Sequence, residues 1–207
     1  AFTRKDHEAQ LGFGFYYGLI FVMIFYNLVL WLSVRDLNYL YYVLTLLFLH
    51  LLFQATNNGL AYEYFWPKAV WWNNHCLGFF LALAIFFTIS FCQHFLQLKK
   101  NVPRINGLLN LLRFVSLGLA LFNLTPDGSF TSWLSIYWGS KIAIVATLLI
   151  WVSGFWAWRL GYQAARYFLI AWSSLVLGAL VTGFTAYGLL PTSFWTTYAL
   201  QIGTGIE

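Results

Sequence analysis

Four polar side chains that could do chemistry stand inside long apolar runs of this sequence: Asn27, His50, Lys141 and Glu207. If the runs cross a membrane, an ionisable group at that depth is costly without a partner, so such groups are candidate functional sites. His50 could hold a proton or, equally, be a neutral histidine that hydrogen-bonds across helices. The Asn27 amide is expected to hydrogen-bond between helices.

Lys141 and Glu207 carry opposite charges at similar predicted depths, about 14 and 20 Å from the outer boundary at 1.5 Å per helical residue. This makes an ion pair within the membrane one hypothesis. Three alternatives stay open. The Lys141 side chain can extend toward the outer interface, Glu207 can be protonated and bonded to a neighbour such as His50, or a water-filled cavity can serve both groups.

Two histidines and two cysteines suggest a metal site at first sight: His75, Cys76, Cys92 and His94. Their spacing suits neither a zinc finger nor a carboxylate–histidine site. The cysteines lie about 24 Å apart if one helix carries both, too far for a disulfide. The sequence also shows no nucleophile motif, phosphate-binding loop or paired carboxylates. We therefore predict no metal, no cofactor and no enzyme active site in this chain.

The composition indicates a membrane protein. Of the 207 residues 61% are hydrophobic and 8% are charged, against about 25% charged in a soluble domain. The apolar residues form blocks close to the ~20 residues that a spanning helix needs. The net charge of +5 is typical of cytoplasmic loops beside a lipid bilayer, so nucleic acid is not an expected partner.

The predicted fold is an all-α, polytopic membrane helix bundle with six full transmembrane helices and the start of a seventh. Residues 1–10 form a charged periplasmic lead-in, and 11–207 form the transmembrane domain. All four prolines fall in the breaks, which predicts continuous helices. The predicted helices cover 11–33, 39–62, 75–97, 108–124, 132–158 and 167–189, with a seventh from Phe194 that is cut short at the end of the sequence.

Basic residues distinguish the two sides of the predicted bundle. Seven lie in or beside the breaks 33–38, 98–107 and 159–166, and three lie on the other side. By the positive-inside rule the N-terminus is outside and the chain exits into the cytoplasm. In the first turn we interpret Arg35 as a membrane anchor and Asp36 as a turn stabiliser, with a contact to an output domain as the alternative.

Small and aromatic residues mark two kinds of contact. Gly14 and Gly18 in the first helix, and Ser174, Gly178 and Thr182 in the sixth, have the four-residue spacing that lets helices approach closely. We expect packing inside the bundle, with a homodimer contact as the alternative. Near the second break, Trp66, Trp71 and Trp72 are typical of the headgroup region, or could partly dock an outer domain.

Several short motifs resemble one bacterial receptor family. They are GFYYG (Gly14–Gly18), YN (Tyr26–Asn27), SVRDLNYLYY (Ser33–Tyr42), NNG (Asn57–Gly59), FWP (Phe65–Pro67) and QIGTGIE (Gln201–Glu207). Together they resemble the seven-transmembrane receptors with diverse intracellular signalling modules. The middle helices resemble that family only in hydropathy and spacing.

The resemblance implies a sensor that couples a fused periplasmic ligand-binding domain to a fused cytoplasmic signalling domain, both outside this sequence, in a bacterial inner membrane. Such an output domain is a diguanylate cyclase, histidine kinase, adenylate cyclase or phosphatase. Two other functions stay open. A small transporter or channel would tend to have helices broken by glycine or proline, and a retinal-type photoreceptor would need a lysine in the seventh helix.

Overall fold

The computed structural model describes residues 4–125, 128–186, 188–191, 193–197 and 199–206. Within these ranges the chain forms helices and no β-strand, which confirms the all-α prediction. The helices are α1 (Arg4–Val34), α2 (Leu37–Thr45), a π-helical segment (Leu46–Phe53), α3 (Gln54–Asn57), α4 (Leu60–Tyr64), α5 (Val70–Phe95), α6 (Leu98–Asn101), α7 (Pro103–Phe122), α8 (Gly128–Arg159), α9 (Ala164–Ala186), α10 (Phe194–Thr197) and α11 (Ala199–Ile206).

Among the described residues, five helical stretches are long and apolar enough to cross a membrane. They are Gly12–Val34, Leu37–Asn57, Val70–Phe95, Pro103–Phe122 and Phe130–Arg159. Ala164–Gly178, in α9, is a shorter apolar stretch. The chain is therefore a multi-helix membrane protein, while the count of six full helices plus a seventh stays a prediction.

The second predicted helix differs most from the expectation. It was predicted to run without interruption over 39–62, but its middle is the π-helical segment, and it ends at Asn57. Gly59 adopts a left-handed conformation with φ of 84°, which glycine accommodates without a side-chain clash and which commonly ends a helix. The absence of proline from residues 39–62 was therefore not sufficient to keep this helix continuous.

Other helices begin earlier than predicted, so the loops are shorter. The first helix extends back to Arg4, the third begins at Val70 instead of 75, and the fourth begins at Pro103 instead of 108. Proline is well suited to the first position of a helix, because the N–H it lacks has no partner there in any case. Pro103 therefore starts a helix rather than lying within a break.

Helix α5 forms the centre of the bundle. In its most apolar stretch 67% of the residues are buried, against 11% in α1. It contacts α2, the π-helical segment, α7 and α8, while α9 contacts both α8 and α11. The main core joins Ile85 and Ile89 of α5 to Ile150 of α8 and Trp172 of α9.

Helix α11 lies very close to α9 at one glycine. A Cβ atom added to Gly203 would lie 2.6 Å from the Ser174 carbonyl oxygen and 3.4 Å from the Gly178 Cα. Both of these atoms are backbone, so no side-chain rotation would relieve the clash. Only glycine at this position allows the two helices to approach so closely.

We predict that Gly203→Ala lowers the stability of the protein in detergent by about 1–3 kcal/mol, because the methyl group would overpack the α9–α11 contact. Gly118 is the matched control, since a Cβ there meets no described atom within 4 Å. Gly118→Ala should be neutral or stabilising by up to about 1 kcal/mol, from helix propensity alone. Equilibrium unfolding compares the two variants, and equal effects would contradict the close approach.

Candidate functional site

The π-helical segment carries His50 into the interior of the bundle, where only 1% of its surface is exposed. A π-helix closes each turn over one more residue than an α-helix, and such turns are frequent at functional sites. The widened turn occupies the middle of the second spanning stretch. His50 is thus a buried polar side chain in a locally irregular helix.

The hydroxyl of Tyr16 joins His50 to α11. Tyr16, in α1, is 6% exposed, and its hydroxyl oxygen lies 3.4 Å from His50 Nδ1. The Thr204 hydroxyl of α11 donates to the same oxygen at 3.3 Å. One side chain therefore links three helices that are far apart in sequence.

The Thr204 hydroxyl has a second acceptor. Its oxygen also lies 2.9 Å from the Gln201 carbonyl oxygen, one turn earlier in α11. A hydroxyl has a single proton to donate, so the bond within α11 competes with the bond to Tyr16. If Thr204 gives up its bond to Tyr16, its hydroxyl can still donate to Gln201, and the Tyr16 hydroxyl keeps His50 as a partner.

Helix α11 also contacts α9, at Gly203. The Ser174 hydroxyl oxygen lies 3.0 Å from the Gly203 carbonyl oxygen and 2.6 Å from the Ala171 carbonyl oxygen, so its single proton can be donated to either. The structure places the small residues Ser174 and Gly178, singled out in the sequence, at this contact. Thr182 lies in α9, and its side chain is outside the described part of the structure.

A cavity of about 190 Å³ lies beside His50 and Thr204. Its walls come from α3, α5, α8, α9, α11 and the π-helical segment. Most lining side chains are aliphatic, and the polar ones are His50, Gln54, Thr88, Thr147, Trp172 and Thr204. The polar contact of three helices and this cavity form the candidate site.

The other polar residues predicted inside the membrane lie elsewhere. Asn27 is buried, but the hydrogen bond that the structure gives it runs within α1, from its Nδ2 to the Met23 carbonyl oxygen at 2.9 Å. An amide one turn along a helix can reach that carbonyl without a second helix. The hydrogen bond described for Asn27 therefore lies within one helix, whereas a bond between helices was expected.

Lys141 is exposed on α8, and its Nζ lies 3.4 Å from the centre of the Tyr137 ring and 5.1 Å from that of Trp138. These rings, three and four residues earlier, draw the ammonium toward the N-terminal end of α8 by cation–π attraction. Glu207 is outside the described residues, so its predicted ion pair with Lys141 stays a prediction.

Gly14 and Gly18 do not pack against a helix of the described bundle. An added Cβ at either position would meet no described atom within 4 Å. The buried face of α1 carries Tyr16, Ile20 and Asn27 instead. Close packing at these two glycines, inside the bundle or in a homodimer, therefore stays a prediction.

The first turn has a local structural explanation. Asp36 is the N-cap of α2, and its carboxylate accepts from the Asn38 backbone N–H at 2.9 Å. Arg35 adopts a left-handed conformation with φ of 60°, and its guanidinium lies over the Trp31 ring, 5.5 Å from the centre. Neither observation requires an output domain.

The predicted interfacial tryptophans belong to one aromatic cluster around Phe80. Trp66 and Trp72 have ring centres 5.9 and 5.7 Å from that of Phe80, whereas Trp71 is exposed. Burial raises the pKa of the nearby Tyr62 phenol above its usual range, and the Cys76 thiol raises this pKa further. Tyr62 is therefore a neutral phenol at physiological pH.

Within the described ranges, the residues with metal-binding side chains do not form a cluster. Among the described residues, no group of three or more His, Cys, Asp or Glu side chains could hold a metal. Cys76 and Cys92 are both buried and lie on the same helix, α5. The Nδ1 atom of His75 lies 2.5 Å from the Trp71 carbonyl oxygen, and its Nε2 atom lies 3.1 Å from the Thr125 carbonyl oxygen.

Comparison with known proteins places the chain in a family. The profile of the family described as "7TM diverse intracellular signalling" matches residues 9–207. The chain belongs to this family of seven-transmembrane receptors. No curated protein and no solved structure matches it. The family domain is a transmembrane sensor region and not a catalytic one.

Two motifs that carry the family resemblance supply the contact between helices of this receptor domain. Tyr16 lies in GFYYG and Thr204 in QIGTGIE, and their hydroxyls bond to each other. Sequence reasoning selected His50 but missed both hydroxyl residues. The available signal was that the most family-specific motifs stand at opposite ends of the chain, as expected for two segments that meet in the fold.

Proposed function

We propose that this receptor domain is a sensor and transducer of a bacterial inner membrane, coupling a periplasmic ligand-binding domain before α1 to a cytoplasmic output module after the seventh helix. The observation that carries this proposal is the contact of α1 with α11 through Tyr16 and Thr204. The first and seventh helices are the ones that connect directly to such flanking domains.

The contact suits a switch because its two sides are held with different strength. Helix α11 packs closely on α9 at Gly203, whereas α1 is mostly exposed. A displacement of α1 would therefore break its own contact with α11 before it disturbed the α9–α11 pair. The Thr204 hydroxyl could then donate its hydrogen bond to the Gln201 carbonyl oxygen alone.

The energies fit a responsive equilibrium. A hydrogen bond between membrane helices contributes about 0.6 kcal/mol on average and at most about 1.7 kcal/mol. Forming or breaking one such bond would change the ratio of two helix arrangements by about threefold to about twentyfold. A ligand would need to favour one arrangement by a similar free energy to control the output.

The orientation rests on where the basic breaks lie. His94 Nδ1, at the end of α5, is 2.9 Å from the Asn38 Oδ1 of the first turn. The Tyr162 hydroxyl, between α8 and α9, donates to the Phe95 carbonyl oxygen at 3.0 Å. These bonds bring three basic breaks to one end of the bundle, which we assign to the cytoplasm by the positive-inside rule.

This orientation predicts opposite labelling of two cysteine variants in intact cells. Tyr64 and Leu160 are 67% and 59% exposed, and they lie at opposite ends of the bundle. In a background with Cys76→Ala and Cys92→Ala, Tyr64→Cys should react with an impermeant thiol reagent and Leu160→Cys should react only after lysis. The reverse pattern would refute the N-terminus-outside orientation.

The transducer function predicts two arrangements of α1 relative to α11. Spin labels on cysteines introduced at the exposed positions Phe21 and Ile202 would report the distance between α1 and α11 by pulsed electron resonance in nanodiscs. The two native cysteines are buried, so they should not take up the label. Two distance populations are expected. Tyr16→Phe should change their ratio by about threefold to about twentyfold, because it removes the shared hydroxyl.

The matched control is Tyr26→Phe, which removes a hydroxyl from an exposed position of the same helix. It should leave the ratio of the two populations unchanged. A single distance that neither variant alters would rule out a switch between α1 and α11.

A further inference from the structure

The Thr88 side chain of α5, like that of Ser135 in α8, differs from most buried hydroxyls of the described helices. It is 9% exposed, and its Oγ1 has no hydrogen-bond partner among the described residues. In these helices a buried hydroxyl usually donates to the carbonyl four residues earlier. Those of Thr45, Thr56, Ser90 and Ser153 do so, at 2.6–2.9 Å. The Thr88 hydroxyl is therefore available to another group.

The indole of Trp172, in α9, presents a second unused donor. Trp172 is 2% exposed, and its Nε1 also lacks a hydrogen-bond partner within the described part of the chain. Buried polar groups are nearly always hydrogen-bonded, so each exception requires an explanation. Thr88 and Trp172 line the same cavity, the one beside His50.

The size and lining of that cavity limit what can occupy it. Its volume of about 190 Å³ exceeds that of an engineered apolar cavity of about 150 Å³ that binds benzene. The lining contains no Asp, Glu, Lys or Arg among the described residues, so a charged ligand would be buried without a counter-ion. An indole N–H can only donate, so the ligand needs an acceptor.

We propose that this cavity binds a small, neutral, largely apolar molecule, about the size of one substituted aromatic ring, whose carbonyl oxygen accepts a hydrogen bond from the Thr88 hydroxyl or the Trp172 indole. Such a molecule reaches the site through the membrane. This binding is separate from the transducer function, since it depends on the cavity alone and would persist if α1 and α11 did not switch.

The test uses acetophenone labelled with ¹³C at the carbonyl and the protein in nanodiscs, followed by NMR. A saturable bound resonance, absent from empty nanodiscs, is expected. Isopropylbenzene has nearly the same shape but no acceptor, and should bind about five- to tenfold more weakly, the usual effect of one hydrogen bond. Equal affinity for the two compounds, or no saturable binding, would overturn the proposal.

Variants test the assignment to this cavity. Thr88→Val keeps the shape of the side chain and should weaken acetophenone about five- to tenfold without affecting isopropylbenzene. The control is Thr45→Val. The native Thr45 hydroxyl donates to the Tyr41 carbonyl oxygen, and Thr45 does not line the cavity. Ala146→Phe should abolish binding of both compounds by filling the cavity. If Thr88→Val and Thr45→Val gave the same affinity, the carbonyl would not be held at Thr88.

Discussion

A buried hydroxyl in an apolar bundle has no water to bond with, so its partners must come from other parts of the protein. The Tyr16 hydroxyl meets this constraint with His50 and Thr204. Three helices are therefore joined at a point where apolar packing alone would leave their relative positions free to slide. The proposed transducer function depends on this contact, because α1 and α11 meet there through a hydrogen bond between side chains.

The surrounding structure makes the contact both precise and weak. Helix α5 and the π-helical segment hold His50 in the interior, and Gly203 holds α11 against α9. The α1 side, in contrast, is bound over a narrow face that includes Tyr16 and Ile20. The bundle thus has a rigid part and a loosely held helix, the combination that a small free-energy difference can shift.

The apolar runs were sufficient to predict an all-helical membrane protein, since the bilayer sets the length of an apolar helix that crosses it. Their details depended on local geometry that hydropathy does not encode. The π-helical turn around His50 and the end of the second helix at Gly59 are examples. Gly14 and Gly18 have the right spacing for packing, but which face of α1 is buried is decided by its neighbours. Tyr16 was missed because a tyrosine near a helix end is typical of the interface, and Thr204 because a single threonine has no distinctive pattern.

The most direct test of the central claim is a double-mutant cycle on the two α1–α11 distance populations, using Tyr16→Phe and Thr204→Val. Both changes remove the same hydrogen bond, so their effects on the equilibrium should not add. We predict that Thr204→Val changes the equilibrium free energy by less than about 0.3 kcal/mol once Tyr16→Phe is present. A change this small is no larger than the usual scatter in such comparisons. Fully additive effects would show that the two hydroxyls act separately and would contradict the account.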